Sequence, residues 1–264
     1  MENAIQFRPA RADEAGEIVA LIRDSFSPEI RNAMIYGCPG MADFIGQQIK
    51  TAAGLSDTLY LVASAGDRVV GCVEMRWLPE ALFLNYICTN PEARSKGLAR
   101  RLLAESIRIA RRDYHREMLL DVFEDNPPAR TWYERLGFRY DYSTGWWDCP
   151  LPATVIPDNG RISGYPQAIS SQERYGFSMF RLITVEREYA VGCLGSDWFR
   201  VTGAELLSDP QALALLHSID GRRRVLALIP EQGLPEALPR DARRIVTARR
   251  MSMDLDRLLA NLKD

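Results

Sequence analysis

A mixed α/β fold followed by a smaller α+β unit is predicted from three observations. Between residues 58 and 89 three β-rich runs follow one another with turn residues between them, the pattern of a meander. An amphipathic stretch that begins near Gly97 then separates the third run from the short apolar run 118–123. Those two strands should therefore lie parallel, joined by a right-handed crossover. Finally, residues 149–166 concentrate Pro and Gly around Asp158-Asn159-Gly160, as a linker does.

Taken in order, residues 4–9 alternate Ile5 and Phe7 with polar neighbours and read as a strand. Asp13 then precedes an amphipathic helix through Ile18, Leu21, Ile22 and Phe26. A second helical region, 28–57, is split by Gly37-Cys38-Pro39-Gly40 and carries Met34, Tyr36, Met41 and Phe44. Runs 58–64 and 68–77 flank the turn Ala65-Gly66-Asp67 as a hairpin, and Pro79-Glu80 turns the chain into 81–89. After the crossover, Asn126-Pro127-Pro128 opens a helix: Asn is a good N-cap, and Pro fits a first turn that needs no N–H there. Leu136-Gly137-Phe138 closes it, and residues 138–147 return as an aromatic-rich strand.

The expected boundaries are a first domain at 1–148, a linker at 149–166 and an accessory α+β domain at 167–264. In the second half, 177–185 and 188–201 read as strands broken near Gly192 and Gly195-Ser196. Ser208-Asp209-Pro210 starts a helix through Leu213, Leu215 and Leu216. Residues 224–229 form a strand, 233–238 one helical turn, and 243–255 a final strand.

Composition narrows the function. At 264 residues and 47% apolar content the chain can build a substantial core. The amino-terminal residues lack a basic segment leading into an apolar run, and no run of about 18 apolar residues occurs. No membrane association is expected, and the cytoplasm is the expected location. Five scattered cysteines without a C-x-x-C, and only His115 and His217 as histidines, argue against a disulfide framework, a metal site and a Ser-His-Asp triad. A net charge of −2 with dispersed basic residues leaves no footprint for nucleic acid.

The most informative stretch starts at Ile87. An apolar strand delivers Arg94-Ser95-Lys96-Gly97-Leu98-Ala99-Arg100 into a helix N-terminus, where free N–H groups and the positive end of the dipole favour an anion. Lysine is rare in this chain, occurring only at Lys50, Lys96 and Lys263, which makes the lysine in this loop notable. Arg94, Lys96 and Arg100 oppose the dipole unless an anion sits there, and Gly97 permits close backbone approach. The loop reads as a phosphate site.

That loop, following the strand end Ile87-x-Thr89-x-Pro91, resembles the R/Q-x-x-G-x-G/A pyrophosphate loop of the GCN5-related N-acetyltransferase (GNAT) family. Further on, Asn126-x-x-Ala129-x-x-x-Tyr133-x-x-x-Gly137-Phe138 resembles the family's second motif. The resemblance covers about residues 1–148. It implies a mixed, mainly antiparallel central sheet flanked by helices, and an N-acyltransferase that moves an acyl group from acetyl-CoA, or another short acyl-CoA, to a primary amine by direct nucleophilic attack. No metal is implied. Pyrophosphate would lie on the amides of Ser95, Lys96, Gly97, Leu98 and Ala99, helped by Arg94, Lys96 and Arg100. Ala99 stands where many members have Gly. The pantetheine arm would pair with the edge of Ile87, Cys88 and Thr89. Tyr133 matches the general acid, and Asn126 is an N-cap that also matches a cofactor contact.

The family fixes no general base. Glu74 is the preferred candidate, with Asp121 and Glu124 as further ones. Cys88 reads either as an acyl-carrying nucleophile or, more simply, as a packed strand cysteine. Trp146 and Trp147 read as acceptor-pocket lining or as a homodimer contact, and both readings stay open. Residues 167–264 are similar in element order to the later half of a GNAT domain without its cofactor loop. An unrelated accessory domain is the competing view. The acceptor, a small molecule or a peptide amine, is left open, and a non-catalytic acyl-CoA-binding or regulatory protein is the rival function. A simple nucleotide-binding protein is disfavoured by the absence of a Walker loop.

Overall fold

The computed structural model describes residues 4–51, 54–93, 97–153, 160–235 and 238–263. Strand β1 (Ile5–Pro9) leads into α1 (Ala15–Arg23), which buries Ile18, Val19 and Ile22 at helical spacing. Short α2 (Pro28–Asn32) starts on Pro28 with Ser27 accepting from Ile30 N, and α3 (Met41–Lys50) follows the glycine breaker. The meander is β2 (Thr58–Ala65), β3 (Arg68–Trp77) and β4 (Ala81–Thr89). The crossover helix α4 (Leu98–Ala110) buries Leu98, Leu102, Leu103, Ser106, Ile107 and Ala110 along one stripe before β5 (Glu117–Phe123). Then come α5 (Pro127–Arg135) and β6 (Arg139–Cys149).

The second half runs β7 (Arg161–Ser163), α6 (Tyr165–Tyr175), β8 (Phe177–Ile183), β9 (Glu188–Leu194) and β10 (Trp198–Thr202). It ends with α7 (Pro210–Asp220), β11 (Arg224–Pro230), β12 (Arg243–Asp254) and α8 (Leu255–Asn261). Among the described residues no helix is long and apolar enough to cross a membrane.

Three expectations need revision. Within the expected linker, β7 and the start of α6 are ordered elements, while residues 154–159 lie outside the described residues. Gly164 and Pro166, read as linker residues, instead start α6: Gly164 sits at the N-cap with φ +74° and Pro166 lies in the first turn. Helix α8 continues the chain beyond the expected final strand and is opened by Asp254 accepting from Arg257 N. The expected turn at 233–238 is a 3-10 turn at Glu231–Gly233, with residues 236–237 outside the described residues.

The chain forms two compact units that do not follow a single boundary. Unit 1 comprises residues 1–26, 42–141 and 249–264, and unit 2 comprises residues 27–41 and 142–248. In unit 1, β1, β2, β3 and β4 pair antiparallel in sequence order, and β5 joins β4 parallel, as the crossover argument requires. Leu102, Leu103 and Ile107 of α4 share its core with Val73, Leu84, Leu120 and Tyr133, and with Met251, Leu255 and Leu258 from the chain's last segment. In unit 2 the strand order is β6-β11-β10-β9-β8-β7, with β10 and β11 parallel and the other neighbours antiparallel. Residues 27–41 belong to this unit because Ala33 and Cys38 pack with Leu194, Leu226 and Leu228, while Cys38 donates its thiol to Gly176 O. Met34, Tyr36 and Met41 are buried, as a core stripe would be.

Candidate active site

The β4–β5 pairing runs only from Ala81↔Glu117 to Leu84↔Leu120, although β4 continues to Thr89 and β5 to Phe123. The strands part where the β3–β4 register shifts: Glu74 faces Tyr86 while Met75 faces Leu84, so Asn85 is an extra residue in β4. Such a bulge bends its strand and increases local twist. A slot thus opens between β4 and β5 beside Ile87, Cys88 and Thr89, the residues expected to hold the pantetheine arm. On their other side these three pair with Val73, Cys72 and Gly71 of β3.

Past Thr89 the chain turns through Pro91–Ala93, with Glu92 N bonded to Asn90 Oδ1 at 3.0 Å. Arg94, Ser95 and Lys96 lie outside the described residues. Gly97 is the N-cap of α4 with φ +69°, a conformation that favours glycine. A Cβ there would meet nothing within 4 Å, so the requirement is conformational and not one of space. Leu98 turns into the core, Ala99 is half-buried, and no acidic residue occupies the first turn of α4. Arg100, expected on the phosphate, donates instead to the carbonyls of Asn261 and Leu262 at the end of α8, where a cation suits the negative end of a helix.

The N-terminus of α7 in unit 2 is built differently. Asp209 accepts from Gln211 N at 2.9 Å and Ala212 N at 3.0 Å, so this helix start carries its own carboxylate. Strands β10 and β11 stay in register from Trp198↔Arg224 to Thr202↔Leu228, without the parting seen between β4 and β5. The start of α4 thus has no acidic residue in its first turn and β4 leaves its parallel neighbour, whereas α7 is capped by its own carboxylate and β10 stays paired with β11 along its length.

Tyr133 is buried on α5, with its ring 5.0 Å from Trp132 and 5.6 Å from Phe138. Burial first, and then proximity to Cys88, pushes its phenol well above the ordinary tyrosine range. Asn126 caps α5 by accepting from Ala129 N at 3.2 Å. Cys88 is buried opposite Cys72, whose thiol is raised by its hydrogen bond to Cys88 and by burial. That setting is a packed one, not an activated nucleophile's.

The three candidate bases differ in their surroundings. Glu74 is 5% exposed, and its Oε1 accepts from Asn85 Nδ2 at 2.6 Å. Asp121 is engaged by Arg250 through two bonds of 2.6 and 3.0 Å, and Glu124 by Arg249 at 2.7 Å. Trp146 and Trp147 are half-buried in unit 2 beneath Arg200 and Arg244, at 6.0 and 5.7 Å from the ring centres.

Residues 18–138 match the model of the Acetyltransferase (GNAT) family. No curated protein matches the sequence. Among solved structures, a tandem GNAT protein from the clavulanic acid biosynthesis pathway shares the fold at a TM-score of 0.60 and 13% identity, covering 95% of this chain and 98% of that one. An acetyltransferase from Pyrococcus horikoshii, described as putative, gives 0.58 at 13% identity, covering 95% and 89%. A GCN5-related N-acetyltransferase from Sphaerobacter thermophilus gives 0.57 at 11%, covering 95% of both chains. These likenesses extend the fold over the second half, whose element order had suggested it. Residues 18–138 thus match the Acetyltransferase (GNAT) family model, within a chain whose fold is shared along nearly its whole length with GNAT proteins.

Proposed function

We propose that this chain is an acyl-CoA-dependent N-acyltransferase that moves an acetyl or other short acyl group to a primary amine by direct nucleophilic attack. The observation that carries the reading is the parting of β4 and β5 after Leu84↔Leu120, beside an α4 N-terminus with no acidic residue in its first turn. Exposed strand edges take up extended, amide-bearing ligands, and helix starts take up phosphates. When bound, the coenzyme A thioester supplies an activated acyl carbon and a thiol leaving group.

The chain's own residues divide the remaining work. The edge of Ile87–Thr89 orients the arm, and the amides at the start of α4, with Arg94 and Lys96, hold the pyrophosphate. Tyr133 keeps its proton at neutral pH, because burial disfavours its anion, and delivers it to the departing sulfur. Glu74 receives a proton from the acceptor amine.

Titration calorimetry with acetyl-CoA and a thiol-release assay over a panel of amines test this reading. Binding with turnover is expected, and Tyr133→Phe should lower kcat by roughly 10²-fold while leaving acetyl-CoA affinity nearly unchanged. Binding without turnover for every amine would instead favour a non-catalytic acyl-CoA-binding protein. Tighter binding of a simple nucleotide than of acetyl-CoA would exclude both.

A further inference from the structure

Beyond the last β4–β5 pair, one ring reaches both strands. Two turn bonds after α1, Ser25 N to Ile22 O and Phe26 N to Arg23 O, carry Phe26 past the end of the helix. Its ring centre lies 5.9 Å from that of Tyr86 on β4 and 5.8 Å from that of Phe123 on β5, edge-on to both at 81° and 79°. Phe26, Tyr86 and Phe123 all keep partial exposure, unlike the buried Tyr133 and Phe138. Glu74 stands directly across from Tyr86, and residues opposed in an antiparallel pair share a face. This face therefore combines three half-exposed aromatic rings with the buried, Asn85-bonded carboxylate of Glu74 opposite Tyr86.

This combination selects by charge and shape. Aromatic faces attract cations and pack apolar bodies, and the carboxylate adds a negative partner for an ammonium. An acceptor carrying its own carboxylate beside the amine would set that group against Glu74. Arg250, which lies over Phe83 on β4, is already held by both oxygens of Asp121.

We propose that Phe26, Tyr86 and Phe123 form the acceptor seat, with Phe26 as its specificity-determining residue. The acceptor class is then a cationic monoamine with an aromatic or aliphatic body and no adjacent carboxylate. The inference rests on the acyl-transfer reading above. The nitrogen forms the new C–N bond as the thioester C–S bond breaks. Of the two protons the ammonium loses, one leaves through Glu74 to solvent, and the other replaces the one Tyr133 gives to sulfur.

The test compares 2-phenylethylamine, butylamine and phenylalanine as acceptors at saturating acetyl-CoA, for the unaltered chain, Phe26→Ala and Phe26→Leu. Phenylethylamine should exceed phenylalanine in kcat/KM by about tenfold or more. Phe26→Ala should raise its KM about tenfold, with Phe26→Leu in between and acetyl-CoA affinity unchanged by calorimetry. Equal use of phenylalanine, or an unchanged KM in Phe26→Ala, overturns the seat while thiol release with other amines leaves acyl transfer standing. Absence of thiol release with every amine overturns both. If Phe26→Ala fails to fold, Phe26→Leu decides: an unaltered KM there also overturns the seat.

Discussion

Asn85, the extra residue of β4, donates its side-chain amide to Glu74 Oε1 at 2.6 Å from across the β3–β4 pair. The bulge and the carboxylate are thus one local device. Leu82 and Leu84 before the bulge, and Ile87 after it, pack toward the α4 core, so the side-chain parity of β4 changes at Asn85. The change sets Tyr86 beside Glu74 at the place where β5 departs.

Glu74→Gln keeps an acceptor oxygen for Asn85 but removes the proton-accepting carboxylate. Under the proposed chemistry kcat should fall by about 10²-fold with acetyl-CoA affinity unchanged. A more alkaline assay should recover part of the loss, because the free amine then arrives already deprotonated. Unchanged turnover would reduce Glu74 to a structural partner of Asn85.

Two other buried carboxylates predict how stability depends on pH. Glu14 is held below the ordinary carboxylate range, chiefly by its hydrogen bonds from Arg8 at 2.6 and 2.9 Å. Burial pushes Asp209 up, but donation from Ala212 N, Tyr189, Thr184 and Gln211 N together outweighs it and leaves the group lowered. A carboxyl that titrates lower when folded contributes stability that is complete above its unfolded pKa of about 4 and is lost as pH falls through the folded value. Asp209→Ala should therefore cost about 1–3 kcal/mol at neutral pH, and the difference should shrink as pH is lowered below that range. Asp209→Asn, which retains cap acceptance, should cost less. Denaturant unfolding at several pH values checks both, and a cost in Asp209→Ala that is independent of pH would contradict the assignment.

Local signals made most of unit 1 legible. The stripe of α4, the Asn126 cap and the meander all depend on neighbours in sequence. Phe26 shares the helical spacing of Ile18 and Ile22 and so reads as one more core residue, yet it lies beyond the end of α1, against strands that part far along the chain. Its role follows from the bulge at Asn85, which no local pattern announces. Arg100 looked like a phosphate ligand because α8, which claims its guanidinium, comes from the last segment of the chain. The assignment of residues 27–41 to unit 2 was hidden for the same reason: Cys38 finds its partners at Gly176 and Leu194 only through long-range packing.

The closing glycine of α5 ties a local rule to that last segment. Gly137 has φ +97°, as a helix-ending glycine should, and its N–H bonds to Glu134 O at 3.0 Å. A Cβ at this position would lie 3.0 Å from Met253 Cε and 3.2 Å from Asn261 Nδ2. Asn261 in turn donates to Leu136 O at 3.0 Å, so the space above Gly137 is where α8 docks. Gly137→Ala thus meets two penalties, a left-handed backbone for a residue with a Cβ and displacement of the Met253 and Asn261 side chains. Together they should cost about 1–3 kcal/mol. Asn261→Ala removes the hydrogen bond and relieves part of the crowding, so the double variant should lose less than the sum of the two single losses. Denaturant midpoints at constant m-value measure all three, and strict additivity would show that the added methyl does not press on Asn261.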